Sequence, residues 1–389
     1  MDDEMVLKDG LLVARSVQSI LRNQDASGAI VASPDFEQYR FCWLRDGSFC
    51  AYALDLAHEH EASARYHQWV ADAIAGIARS IDTAIDAHER GEERELTLMP
   101  PARFALDGST VVDDWPNFQI DGYGTWLWSL GRHLDMAGVV SSERVLESVE
   151  RAARYLTAFA LGPCYDVWEE SGTDIHTSTL ASVYGGLRTA ARLLGNASYE
   201  RTAENVKSYA LESTVETGHF VKSSANNDVD ASLLWLSQPF GLVEPSDPIF
   251  VATVGLIESG LTFEGGTRRY PADTYYGSGA WPVLTSSLGW HYLALGDGRG
   301  ARRCRDWVSD HFDRFGRLGE QYGGERHDPT NYHEWEERWG RPAQDLVWSH
   351  AMYIVLSLKL EEFFDSSDEE DSMSMSESRS AWDRGGGTS

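Results

Sequence analysis

SSERVLESVERAARYLTAFALGPCYDVWEESGTDIHTSTLASVYGGLRTAARLL, residues 141–194, holds one complete unit of the fold. The spacing predicts a helix over 143–160 with one broad charged face, and a second over 177–194 that is rich in small residues and apolar on several sides. A helix with a charged face belongs on the outside of a protein, and one apolar all round belongs inside. Between them, CYDVWEESGTDIH (164–176) gathers aromatic rings, carboxylates and glycine. The unit is therefore an outer helix, a polar and aromatic loop, and an inner helix.

The same unit recurs along the chain. Helical periodicity marks 6–22, 46–57, 61–88, 122–137, 143–160, 177–194, 198–213, 230–237, 249–259, 284–295, 301–314 and 346–364. The even-numbered members, such as VWSHAMYIVLSL (347–358), are the apolar ones; the odd-numbered, such as GARRCRDWVSDHFDRF (300–315), carry the charged faces. Twelve helices alternating outer and inner describe an all-α fold, an (α/α)6 toroid. Short β-segments are expected near 94–112. The six outer-to-inner loops are 39–48, 117–124, 164–176, 223–232, 267–282 and 318–344, and in a toroid they fall at one end. Residues 1–364 form the barrel, and the Ser-, Gly- and acid-rich segment 365–389 reads as a disordered tail.

Composition limits what such a barrel binds. Lys+Arg is 33 against 61 Asp+Glu, a net charge of −28, and only Lys8, Lys207, Lys222 and Lys359 are lysines. A field this negative repels nucleic acid and anionic membrane surfaces. Acidic and poor in lysine, the surface fits a protein kept soluble in concentrated salt. MDDEMVLKDG is not a signal peptide and no stretch is apolar enough to span a membrane, so a cytoplasmic location is expected. Cys42, Cys50, Cys164 and Cys304 form no C-x-x-C pair, and no H-E-x-x-H is present. The 12 histidines read as surface or core residues, so neither metal nor cofactor is expected.

Six loops of rings and carboxylates at one end suit a polar, ring-shaped ligand. A glycoside hydrolase needs a carboxylic acid to protonate the leaving oxygen and a second carboxylate to activate water or attack directly. Glu169 or Glu170, beside Trp168, is the candidate acid, since adjacent carboxylates and an apolar neighbour raise one pKa. Glu320, after the eleventh helix, is the candidate base. Asp46 and Asp121 each serve as a helix cap or as a hydroxyl ligand, and Asp230 caps the short eighth helix. Arg45 beside Asp46, and Arg269-Tyr270 with Asp273, suit hydroxyl recognition or loop-shaping ion pairs.

Taken in order, Trp43-x-Arg45-Asp46, Gln119-x-Asp121-Gly122, Asp166-x-Trp168-Glu169-Glu170, Arg269-Tyr270-x-x-Asp273-x-Tyr275-Tyr276 with Trp281, Gly319-Glu320-Gln321-Tyr322 and Asp345-Leu346-x-Trp348-Ser349 resemble glycoside hydrolase family 15, the glucoamylase, glucodextranase and trehalase family. The resemblance implies an inverting, exo-acting α-glucosidase that releases glucose from α-1,4- or α-1,6-linked oligosaccharides. An α,α-trehalase or a non-catalytic sugar-sensing barrel are the alternatives. It further implies Glu169 as acid, Glu320 as base and Glu170 as a substrate-binding partner of the acid. Arg45, Asp46 and Arg269 would grip the terminal glucose between the walls of Tyr39, Trp43 and Trp281. The β-sandwich that precedes the barrel in many prokaryotic members is not apparent in this sequence, and soluble oligosaccharides are expected rather than granular starch.

Overall fold

The computed structural model describes residues 3–92 and 99–385, with side chains described for 10–92 and 99–366. In chain order the elements are α1 (Asp3–Arg22), β1 (Cys42–Trp43), α2 (Leu44–Leu56), α3 (His60–Gly76), α4 (Ala78–Glu89), β2 (Arg103–Phe104), α5 (Asp121–Ala137), α6 (Glu143–Phe159), α7 (Thr177–Leu194) and α8 (Ala197–Ser213). There follow β3 (Val215–Glu216), β4 (His219–Phe220), a 3-10 helix (Ala231–Leu236), α9 (Pro248–Leu261), β5 (Thr262–Phe263), β6 (Gly266–Thr267), α10 (Pro282–Ala294), α11 (Gly298–Asp310), α12 (Gly324–His327), α13 (Pro329–Trp339) and α14 (Val347–Gly385).

Six of these close a ring. α2 packs on α5, α5 on α7, α7 on the 3-10 helix, that helix on α10, α10 on α14, and α14 back on α2. α1, α3 with α4, α6, α8, α9 and α11 lie outside them. The result is the (α/α)6 barrel that the alternation of apolar and charged helices predicts. Inner residues are small where helices meet. A Cβ on Gly124 would stand 2.4 Å from the Ser182 carbonyl oxygen, and one on Gly186 2.6 Å from the Gly124 Cα. The barrel axis is filled by rings: Phe49 stacks on Trp348 at 5.5 Å, and Trp235 lies 5.6 Å from Trp348 and 6.2 Å from Trp168.

Three elements depart from expectation. The helix read over 61–88 breaks at Ile77 (φ −100°, ψ 14°), which turns Ile81 and Ile85 against the outer wall. The eighth helix is a six-residue 3-10 segment, because Gln238 precedes Pro239 and the α conformation is disfavoured there. The last loop is not irregular throughout: it contains α12 and α13. The expected β-segments reduce to β2, paired with β1, while 93–98 lie outside the described residues. α14 is drawn to Gly385 through a stretch without Pro or internal Gly, and its last buried side chain among the described residues is Leu360. Among the described residues no helix is long and apolar enough to cross a membrane. All four cysteines are buried.

Candidate active site

Four of the six outer-to-inner loops, with Trp115 and Pro116 just ahead of a fifth, line a cavity of about 270 Å³ at one end of the barrel. That volume suits a short saccharide rather than the side of a polymer. Its lining includes Tyr39, Trp43, Arg45, Asp46, Trp168, Glu169, Glu170, Arg269, Trp281 and Glu320. The remaining loop, 223–232, contributes Asp230 one layer below.

Glu169 is presented by a tight turn. Its φ is +68°, a conformation that a non-glycine residue adopts only when its surroundings enforce it. Asp166 does the enforcing: its Oδ1 accepts the Trp168 N–H at 2.9 Å and the Glu170 N–H at 2.8 Å, and its carbonyl accepts the Glu169 N–H at 2.9 Å. Asp166 is itself anchored by buried Lys222, whose Nζ lies 3.2 Å from it and 2.8 Å from Asp230. Asp230 also accepts from Trp168 Nε1 at 2.9 Å and caps the 3-10 helix through the Ser232 N–H, as the sequence suggested. Glu169 Oε1 then accepts from Trp43 Nε1 at 2.7 Å and from Gln119 Nε2 at 2.9 Å.

Glu320 faces a different environment. Its carboxylate is 1% exposed, Oε1 accepts from the Tyr39 hydroxyl at 2.9 Å, and Oε2 is buried with no protein hydrogen-bond partner. The Tyr275 hydroxyl stands 3.0 Å from that of Tyr39. Burial pushes the Glu320 carboxyl up to about 8, against the pull of the Tyr39 hydrogen bond and of Arg269. Burial also raises the Glu170 carboxyl, as expected for one member of the adjacent pair; Arg269 opposes the rise and Asp166 adds to it.

The floor of the pocket holds two arginines. Arg45 donates to Asp121 at 3.0 Å and to Gln119 at 3.1 Å. Its Nε pairs with Asp46 Oδ2 at 3.4 Å, and neither atom makes a hydrogen bond within the protein. Burial raises the Asp46 carboxyl to about 6, with Arg45 holding it back. Arg269 is boxed by Trp168, Tyr270, Tyr275 and Trp281 at 5.0–5.6 Å and pairs with Asp273 and, at 3.5 Å, with Glu170.

Two expected contacts are corrected. Asp121 neither lines the cavity nor caps α5; it is 1% exposed and holds Arg45 in place. Asp46 likewise lies inside the first turn of α2 without capping it. Tyr270 sits behind the wall, where its hydroxyl donates to Glu170 and its face covers Lys222 at 3.6 Å. The sequence reading missed Trp115, Trp335 and Trp339 as lining residues. Trp335 and Trp339 are one helical turn apart on α13, and Asp328 capping ahead of Pro329 is the signal that would have marked that helix.

An (α/α)6 barrel with a cavity closed at its base, walled by rings and holding two carboxylates in unlike settings, is the architecture of an enzyme that cleaves saccharides from the chain end. The family model described as glycosyl hydrolases family 15 matches residues 8–321. The isomaltose glucohydrolase of Kribbella flavida is 38% identical over 356 residues, 90% of this chain and 92% of that one. A solved glycosidase variant in complex with glucose superposes with a TM-score of 0.89 at 37% identity, covering 93% of this chain and 99% of that one. A bacterial glucoamylase complexed with acarbose, at 18% identity and a TM-score of 0.67, shares the fold over 90% of this chain and 55% of its own. The chain belongs to glycosyl hydrolases family 15. It is a glycoside hydrolase, an exo-acting α-glucosidase.

Proposed function

We propose that the enzyme hydrolyses short α-1,6-linked glucosides from the non-reducing end by inversion, with Glu169 as general acid and Glu320 as general base. The substrate class follows the Kribbella flavida relative, which matches nearly end to end. The roles rest on one observation above all. Glu320 has one oxygen held by Tyr39 and the other buried without a protein partner, the arrangement needed to orient and deprotonate an attacking water. Glu169 Oε1 already accepts two N–H donors, so the transferable proton resides on Oε2. Glu169 passes that proton to the glycosidic oxygen as its bond to C1 breaks. Water attacks C1 from the opposite face and gives its proton to Glu320. The products are β-glucose and the shortened saccharide. Arg45 and Asp46 fix the hydroxyls of the terminal ring.

Isomaltose, maltose and trehalose incubated in parallel, with the product anomer followed by proton NMR, test this reading. Fastest release from isomaltose, initially as β-glucose, is expected, with activity lost in Glu169→Gln and Glu320→Gln. Initial α-glucose would refute inversion, trehalose as the best substrate would refute the substrate class, and full activity in either variant would refute the roles. We further propose that the acidic surface adapts the enzyme to a salty cytoplasm, a reading supported by the charge of −28 and the four lysines.

A further inference from the structure

At the base of the barrel, Asp55 at the end of α2, His67 on α3 and His133 on α5 converge. Each offers one ligand atom, and all three atoms lie within 4.8 Å of one another. All three residues are buried, at 1%, 2% and 4% exposure. Asp55 lies nine residues down α2 from Asp46, ~14 Å at 1.5 Å per residue, so this cluster is separate from the catalytic cavity. We propose that Asp55, His67 and His133 bind a transition-metal ion of the zinc class, which ties two inner helices to one outer helix.

Three features carry the assignment. The donor set is two imidazoles and a carboxylate, which suits zinc, cobalt or nickel rather than magnesium or calcium. His133 Nδ1 stands 2.9 and 3.1 Å from the two Asp55 oxygens. At that separation the two groups hydrogen-bond to each other, and an ion entering between them would replace that bond. Finally, both ring nitrogens of His67 are buried without a hydrogen-bond partner. A buried imidazole with neither nitrogen satisfied is costly, and ligation of one nitrogen removes that cost.

The surroundings complete a metal site. Ser63 Oγ donates to Asp55 Oδ2 at 2.6 Å and orients the carboxylate from outside the cluster. His60 Nδ1 lies 2.8 Å from Asp55 Oδ1 with its side chain 32% exposed, and exposed His58 is beside it at a ring distance of 5.9 Å. These two histidines lead from solvent to the cluster.

The test uses the full chain, stripped with a chelator and titrated with Zn²⁺ and with Co²⁺. Calorimetry should give one equivalent, Co²⁺ should develop the visible absorption of low-symmetry coordination, and thermal unfolding should move to higher temperature. Isomaltose hydrolysis should stay unchanged, because the site is remote from the cavity. His67→Gln and His133→Gln should each lose the equivalent and the Co²⁺ band; if one fails to fold, the other decides. Absence of stoichiometric binding to the wild-type chain would overturn the proposal. So would binding that survives in a folded variant, since it would then belong to surface histidines.

Discussion

Replacing Tyr39 with Phe isolates the hydrogen bond that supports the base. The Tyr39 hydroxyl has one proton, and it is donated to Glu320 Oε1 at 2.9 Å; toward Tyr275, 3.0 Å away, it therefore accepts. Tyr275, Tyr39 and Glu320 thus form a chain in which each bond polarises the next. Burial and the neighbouring Glu320 raise the Tyr39 phenol well above its ordinary value, so it remains a donor throughout the working range. The bond favours the ionised carboxylate, and a hydrogen bond to a charged group is worth about 1.5–3 kcal/mol. At 1.36 kcal/mol per pH unit, its loss raises the Glu320 pKa by about one to two units. In its proposed role as base, Glu320 must be ionised to accept a proton from water. The acid limb of kcat/KM therefore reports its pKa in the free enzyme. In the wild type that limb should lie far above the ordinary carboxylate range, since burial has pushed Glu320 up to about 8. In Tyr39→Phe it should move further alkaline by about one to two units. Tyr275→Phe, whose lost hydroxyl also favours the ionised Glu320 but less than that of Tyr39, should move it the same way by less. A profile recorded with isomaltose under first-order conditions decides. A limb that stays in place while its plateau falls would show that Tyr39 shapes the pocket without setting the base, and a shift toward acid would refute the sign.

The same buried carboxylate costs stability. Its folded pKa lies above its unfolded one, so nothing is lost below about pH 4.5 and stability falls as pH rises through about 8. Glu320→Gln should therefore melt higher than wild type at pH 9, by a few kcal/mol at most, with the advantage vanishing near pH 4.5; equal melting curves at both pH values would contradict this. Gly124→Ala drives a Cβ to 2.4 Å from the Ser182 carbonyl and should lose about 1–3 kcal/mol by denaturant unfolding, whereas Gly255→Ala, on α9 with open space around it, should lose none. Lys222→Met strands buried Asp166 and Asp230 and should cost about 3–5 kcal/mol while lowering kcat through the Glu169 turn; a stable, fully active variant would remove Lys222 from the design. Melting temperature should rise from dilute buffer to molar KCl as surface repulsion is screened, and a flat or falling curve would dismiss the salt reading.

The ring was legible because burial on all sides and burial on one side leave different residue patterns, and α5, α7 and α14 could be told from α6 and α11 on that ground alone. The loops carrying Trp168-Glu169-Glu170 and Gly319-Glu320, which line the cavity, were legible because they sit between such helices. Three-dimensional partnership was not. Asp121 and Tyr270 carry the right chemistry for sugar contacts, but Arg45 and Glu170 stand between them and the cavity. Trp335 and Trp339 were hidden by a helix rich in charge, with no buried stripe to reveal it. The cluster of Asp55, His67 and His133 comes from three helices, α2, α3 and α5, that only their packing on one another brings together.

Lysine usage connects the surface to the site. The chain has four lysines against 29 other basic residues, all Arg. Of the three with described side chains, every one lies on an aromatic face: Lys207 on Tyr184 at 5.7 Å, Lys359 on Trp290 at 5.3 Å and Lys222 on Tyr270 at 3.6 Å. Lysine is thus spared where its ammonium and methylene stem have a partner. Lys222 shows why arginine does not replace it everywhere. Bridging Asp166 and Asp230 beneath a ring calls for a compact charge with rotatable donors, not a planar fork. Lys222→Arg should accordingly fail to restore what Lys222→Met loses, although it keeps the charge. On the proposed salt adaptation the depletion belongs to the exterior, while the lysine beneath the Glu169 turn is held by the geometry of the two carboxylates it joins.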